Sequence, residues 1–270
     1  AFGMGPKKYG DTSIVGTFSD SGFLGNTERP WKQKGGWFRK NKSGVELGAL
    51  DPEFSGSLKS SFFLMQAGAS ALAESVGVSA KVLEGFSRDI RVTLTQDEEK
   101  NKELIAEALS GIGEDMVHTL IPTIAEYAKE SETATQTLQR LSNSLVAVNI
   151  GLALVQKGLL DVSLSGAAAA SNLVDLFGGI DNFSAANQAF YQVAYTDGER
   201  AAHSMEAIAS SLESVGVAMP DTMAQLRDMA LALDLTTDSG RAAYATLISL
   251  APTFAQATEA LLQAAKDTGA

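Results

Sequence analysis

Cysteine is absent from the chain, and histidine occurs only as His118 and His203. Without a thiol there can be no disulfide, no thiolate metal site and no cysteine nucleophile. Neither histidine sits in an HExxH or comparable ligand arrangement, and His203, within Glu199–Glu206, reads as a surface or partly buried helix residue. The Gly-x-Gly pairs Gly3/Gly5 and Gly111/Gly113 lack the rest of a nucleotide-binding fingerprint. Neither a Gly-Lys-Ser/Thr phosphate loop nor a Gly-x-Ser-x-Gly nucleophile elbow is present. Carboxylates do occur in pairs, at Glu98/Glu99 and Glu114/Asp115, as a glycosidase would need. Both pairs fit better as first-turn helix charges, where a negative group meets the positive end of the helix dipole. No catalytic, cofactor-binding or metal residue is assigned, and the chain is not expected to be an enzyme.

Long apolar runs are also missing. The longest stretch without Asp, Glu, Lys or Arg in the central region is Leu141–Gln156, sixteen residues. A helix of that length rises about 24 Å, short of the roughly 30 Å hydrocarbon core of a bilayer. Ser142, Asn143, Ser144 and Asn149 weaken a spanning reading further. A buried or interface helix is expected there, with a membrane-inserting, pore-type segment as the alternative.

What the chain does have is a strong asymmetry of charge. Residues 1–50 hold eight Lys/Arg against four Asp/Glu, and the remainder thirteen against twenty-eight, so an opening near +4 precedes a body near −15. The acidic body argues against sequence-specific nucleic-acid binding, because phosphate contacts require a positive surface. The basic opening could meet an acidic partner surface, or its cations could simply solvate an exposed hairpin. Because the chain begins at Ala1, it is expected to be a segment of something longer.

Residues 1–50 are rich in glycine and aromatics and lack helical periodicity; Ser13–Phe18 and Trp31–Arg39 carry strand formers. Gly35-Gly36, between Trp31–Lys34 and Trp37–Lys40, matches a two-residue hairpin loop with positive φ. Asp51-Pro52 then marks a boundary before a mainly helical body, 51–270, with a possible internal boundary near 158–164. Leu58, Phe62, Met65, Ala69 and Leu72 recur at helical spacing up to a C′ glycine, Gly77, and Ser79 fits the N-cap of a short helix ending near Gly85. Ile90, Val92 and Leu94 alternate with polar residues as a half-buried strand, beside which Val162 and Leu164 could add a second.

Thr95–Glu98 has the capping-box pattern and predicts a helix to Ser110, interrupted at Gly111 and Gly113 and divided again near Pro122. Further helices are expected over 133–155, 165–177, 184–214, 220–233 and 238–266, with Pro220 in a first turn and Thr237 or Asp238 as an N-cap. The predicted class is α+β, predominantly α: a small β-hairpin-rich region, then a helical body with one or two short strands.

Three groups of residues, taken in order, resemble one family. The first runs from Phe2-Gly3 through Lys7-Lys8, Gly16-Thr17-Phe18 and Gly22-Phe23 to Lys34-Gly35-Gly36-Trp37-Phe38-Arg39. The second is Leu173-Val174-Asp175-Leu176-Phe177-Gly178-Gly179 with Phe183-Ser184 and Phe190-Tyr191. The third joins Met219-Pro220-Asp221-Thr222 to Leu233-Asp234-Leu235-Thr236-Thr237, Gly240-Arg241 and Tyr244-Ala245-Thr246-Leu247. As an ordered set they resemble the C-terminal, tip-proximal part of the tail tape measure proteins of long-tailed bacteriophages.

The resemblance implies a virion structural protein that fills the tail tube, sets tail length during assembly and is ejected ahead of DNA into the host envelope. It implies tail-tube and tail-tip hub partners, a homotrimer about the tail axis, and contact with the host membrane on ejection. Trp31, Gly35, Gly36, Trp37 and Phe38 are the candidate partner contacts, although plain core packing within a small β layer is the more common role of such tryptophans. A peptidoglycan-degrading tail enzyme is the competing function.

Overall fold

The computed structural model describes residues 4–36 and 39–268. The described residues form β1 Lys7–Tyr9, β2 Ser13–Ser19, β3 Gly22–Gln33, β4 Lys42–Ala49, α1 Pro52–Ser75, β5 Arg88–Thr93, α2 Glu98–Leu120 and α3 Ala134–Leu154. There follow α4 Leu164–Leu176, α5 Ile180–Ala194, α6 Asp197–Ser214, α7 Met223–Ala232 and α8 Asp238–Asp267. The fold is α+β and predominantly α, as the sequence pattern predicts. It divides into two compact units, 1–184 and 185–270, the division falling inside α5. The 158–164 stretch joins α3 to α4 within the first unit.

In the first unit β3 is the spine of a five-stranded antiparallel sheet. One of its edges pairs with β2 over residues 22–28 and with β1 over 31–33; the other pairs with β4 over 26–33. β5 lies outside β2. Pro30 has no N–H to donate, and it falls where β1 gives way to β2, so the ladder loses nothing. Covered and uncovered halves result. Ile14, Phe18, Phe23 and Val92 are buried in the core with α1, whereas β1 is exposed throughout and β4 is exposed except at Gly44.

Aromatic packing joins sheet to helix. Phe18 lies 4.5 Å from Phe23 and 5.2 Å from Phe62 of α1, which is itself 6.3 Å from Phe86. The Phe23 ring crosses two paired glycines: a Cβ on Gly16 or Gly25 would come within 2.5 Å of it. Phe18 and Phe62 are wholly buried.

Asp51 starts α1 by accepting from the Glu53 and Phe54 N–H groups, with Pro52 at the first helical position. Gly77, at φ 75°, ends it: its N–H donates to Glu74 and that of Val78 to Ala73, closing both loops of a Schellman motif. Ser79 caps a single 3-10 turn, Ala80–Leu83. β5 pairs with β2, not with 162–164, since Ser163 caps α4 and Leu164 is its first residue.

Helix α2 begins two residues later than expected. Asp97, not Thr95, accepts from the Glu99 and Lys100 N–H groups, and Thr95 is instead held by Asn101. It also runs unbroken through Gly111 and Gly113, since the weak helix propensity of two glycines is outweighed by the buried Ile112, Met116 and Val117 around them. Helix α3 carries the predicted stripe, Leu138, Leu141, Leu145, Val148 and Leu152, all buried. The uncharged run is thus mostly core helix. Its polar groups are satisfied locally: Ser142 Oγ lies 2.6 Å from Ser75 Oγ, and Asn149 bonds both the N–H and the carbonyl of Leu160. Among the described residues no helix is long and apolar enough to cross a membrane.

In the second unit Ile208, Leu212, Leu226, Ala230, Leu247 and Phe254 make the core between α6, α7 and α8. The expected 184–214 helix is cut in two, because Thr196 and Glu199 form a reciprocal capping box that starts a new helix. Pro220 precedes α7 instead of opening it; Thr222 is the cap and accepts from the Gln225 N–H. The Leu233–Arg241 motif proves to be a helix-start lock. Thr237 caps α8, Arg241 donates to the carbonyls of Leu235 and Thr236, and a side chain at Gly240 would overlap the Asp234 carbonyl.

Phe62→Ala is expected to destabilise the first unit by about 3–5 kcal/mol, the usual cost of emptying a fully buried aromatic site. Urea unfolding followed by tryptophan fluorescence measures it; a loss below about 1 kcal/mol would show that the stack is not the joint between sheet and helix.

Candidate docking surface

The uncovered half of the sheet, β1, β3 and β4, carries Trp31, and the loop after β3 carries Gly35 and Gly36, three of the residues that the sequence marks as partner contacts. Trp31 is half-buried on β3, paired with Tyr9 on one side and Gly44 on the other. Its ring lies over Gly44, where a Cβ would come 2.8 Å from the indole. Lys7 Nζ sits 4.4 Å from the ring centroid, and Arg29 stands 4.8 Å over the Tyr9 ring. Glu46 ties the group together, accepting from Lys7 and from the Tyr9 hydroxyl at 3.4 Å each. Trp31 is therefore fixed between a backbone and an ammonium group, as part of a rigid cation–π cluster.

Gly35 and Gly36 do not form the expected two-residue loop. β3 ends at Gln33 and β4 begins at Lys42, paired with each other, so the connection spans 34–41 and Arg39 and Lys40 are not strand residues. Gly35 does not adopt positive φ; it is needed because a Cβ would overlap the Arg39 carbonyl. Its N–H donates to Asn41 Oδ1, and the Arg39 N–H donates to the Gly36 carbonyl, which folds the loop back. Trp37 and Phe38 lie outside the described residues.

Beside this loop the ribbon forms an open groove of about 990 Å³ that involves Lys8, Lys32, Lys34, Lys42, Pro30 and Val45. Among these Lys32 and Lys34 lie within the Trp31–Lys40 stretch, and Lys8 within the Lys7-Lys8 pair, that the sequence singles out. The rest were missed because their meeting depends on the β1–β3–β4 register, which no local pattern encodes.

Several titratable groups outside the ribbon have structural partners. Among the described residues no group of three or more His, Cys, Asp or Glu could hold a metal ion. His118 is exposed, and His203 stacks with Tyr191 and shares a 3.2 Å hydrogen bond with its hydroxyl. Burial raises the Tyr191 pKa against the opposing charge of Arg200. Glu114 and Asp115 lie near the end of α2, not in a first turn. Asp115 pairs with Arg88 at 2.9 Å, while Glu114 accepts from the first N–H groups of α3, Ala134 and Thr135, and so caps a neighbouring helix. Burial pushes the Glu114 pKa up, but the hydrogen bonds from Thr135, Thr133 and these amides outweigh it, and the net shift is downward.

The strongest electrostatic tie is Glu132–Arg140. Arg140 donates to both carboxylate oxygens at 2.7 and 2.8 Å, to the Tyr127 carbonyl and to Ser171 Oγ, joining three segments of the first unit. Its hydrogen bonds hold the Glu132 carboxyl at about 2, against burial, with the Lys129 N–H and Thr137 assisting. Compared with known proteins, the chain matches no family model, no curated protein and no solved structure.

Because the folded Glu132 pKa lies below its ordinary 4.5, the tie is fully stabilising above that value and is lost as pH falls toward 2. Glu132→Gln is expected to lower stability at neutral pH and to flatten the decline between pH 4.5 and 2, read by thermal melts across that range. Equal slopes in both proteins would remove Glu132 as the acid-sensitive group.

Proposed function

We propose that this chain is a structural docking module of a long-tailed phage tail, the tip-proximal C-terminal part of a tape measure protein. In this reading it anchors at the tail tip, while upstream sequence sets tail length and the whole protein leaves ahead of DNA. Tail-tube and tip-hub proteins are its partners, a homotrimer about the tail axis its assembly, and the host membrane a contact on ejection.

The observation that carries the anchor role is the uncovered ribbon: a rigid, basic, aromatic surface with the residues a partner would recognise and no core to fill. The helices support it from the other side. The longest, α8, has thirty residues and rises only about 45 Å, and α1 through α8 are broken by caps and turns. A measuring rod needs long uninterrupted helix, so measuring belongs elsewhere. The ordered motif resemblance supplies the phage setting. It is not an enzyme in this reading, because the paired carboxylates at 114–115 serve as a helix cap and an ion pair.

A reconstruction of the intact tail is expected to show this segment at the distal tip, about the central threefold axis. Uniform density for it along the tube lumen would contradict the proposal, as would a zone of clearing on a peptidoglycan zymogram with the purified protein.

A further inference from the structure

Lys8 and Lys32 stand directly opposite each other across β1 and β3. Like charges in that position destabilise a sheet. No carboxylate borders the groove they help to form, and neither lysine makes an ion pair among the described residues. Protection of a free sheet edge accounts for lysine on the outer strand β1, but not for Lys32, which lies on the central strand with neighbours on both sides. Lys34 adds another exposed cation at the loop end. Pro30 and Val45, paired across β3 and β4, supply apolar surface between them, and Val45 is 54% exposed.

We propose that this groove binds an acidic, amphipathic segment of a partner polypeptide, its carboxylates meeting Lys8, Lys32 and Lys34 and its apolar side chains covering Pro30 and Val45. The proposal rests on the docking reading above and names the partner's chemistry. Charge complementarity selects an acidic occupant, and the apolar floor selects a peptide over a nucleic acid. Single-stranded nucleic acid would need open aromatic faces for base stacking. The Trp31 ring is instead enclosed between Gly44 and Lys7, and Arg29 stands over Tyr9. The local sacrifice has the character of a binding site: a like-charge pair that weakens the free ribbon becomes favourable once a carboxylate lies between its members.

The test is fluorescence anisotropy with the purified chain and three labelled probes: a peptide alternating Glu and Val, a Glu-only peptide of equal charge, and an oligo-dT of similar charge. The Glu/Val peptide is expected to bind at least about tenfold tighter than either other probe, and to weaken on raising salt from 50 to 300 mM. Lys32→Glu is expected to reduce its affinity about tenfold or more while leaving the melting temperature unchanged or higher, since it converts the Lys8 clash into an attraction. That opposite movement of affinity and stability is what a merely structural lysine would not give. The Lys100→Glu/Lys102→Glu variant, altered at the start of α2, should bind as the parent does.

Absence of Glu/Val peptide binding, equal binding by Lys32→Glu, or equal or tighter binding of oligo-dT or the Glu-only peptide would each overturn the proposal. The titration uses no tail. Failure here with the segment at the tail tip would remove only the groove assignment, whereas peptide binding by a segment found along the tube would remove only the anchor role.

Discussion

The first unit depends on a mismatch of lengths between β3 and the helix layer that packs on it. β3 runs twelve residues, but the aromatic joint of Phe18, Phe23 and Phe62 fastens only its first part to α1. Beyond that joint the strand continues with partners on both edges and no core beneath. Hydrogen bonding, the Gly44–Trp31 contact and the Glu46 cluster hold the ribbon in place of burial. Such a surface must stay soluble while remaining stiff. Its excess of cations provides the first, and stacking of those cations on Trp31 and Tyr9 contributes to the second.

Carboxylates with displaced pKa values sit at helix starts or between segments: Glu114 on α3, Glu132 on Arg140, Glu199 in a capping box, and Asp234 beside the Thr236 N–H and hydroxyl. Each shift has a hydrogen-bonding cause that also orders the backbone. These acidic residues of the body thus act as caps and ties, whereas Lys8 and Lys32 of the ribbon make no ion pair among the described residues.

Elements marked by one strong local signal were legible in the sequence. The α1 stripe and its Gly77 stop, the β5 alternation and the α3 heptad-like apolar face all fell within a few residues of their observed limits. Misplaced features had two competing signals. Thr95 and Asp97 both suit an N-cap, and Asp97, two residues nearer the helix, takes the amides. The glycines at 111 and 113 suggest a break that packing overrides, while the Thr196–Glu199 box lies inside a run apolar enough to look continuous.

Least legible was β4. Its Val45 and Leu47 face solvent, so there is no buried face to impose alternation, and the neighbouring Gly35-Gly36 pair draws the expected second half of the hairpin to Trp37, five residues before its true start at Lys42. The docking surface inherits that difficulty. Lys8, Lys32 and Val45 are unrelated in sequence and meet only through register.

The central claim, that the ribbon is a docking element and the rest a scaffold for it, is tested most directly by amide hydrogen exchange on the free chain and on assembled tail tips. The account predicts that the amides of residues 31–33 and 42–49 exchange faster than those of α3 in the free chain and gain protection on assembly, while protection of α3 changes little. Unchanged exchange in the ribbon, with new protection confined to the helices, would contradict it.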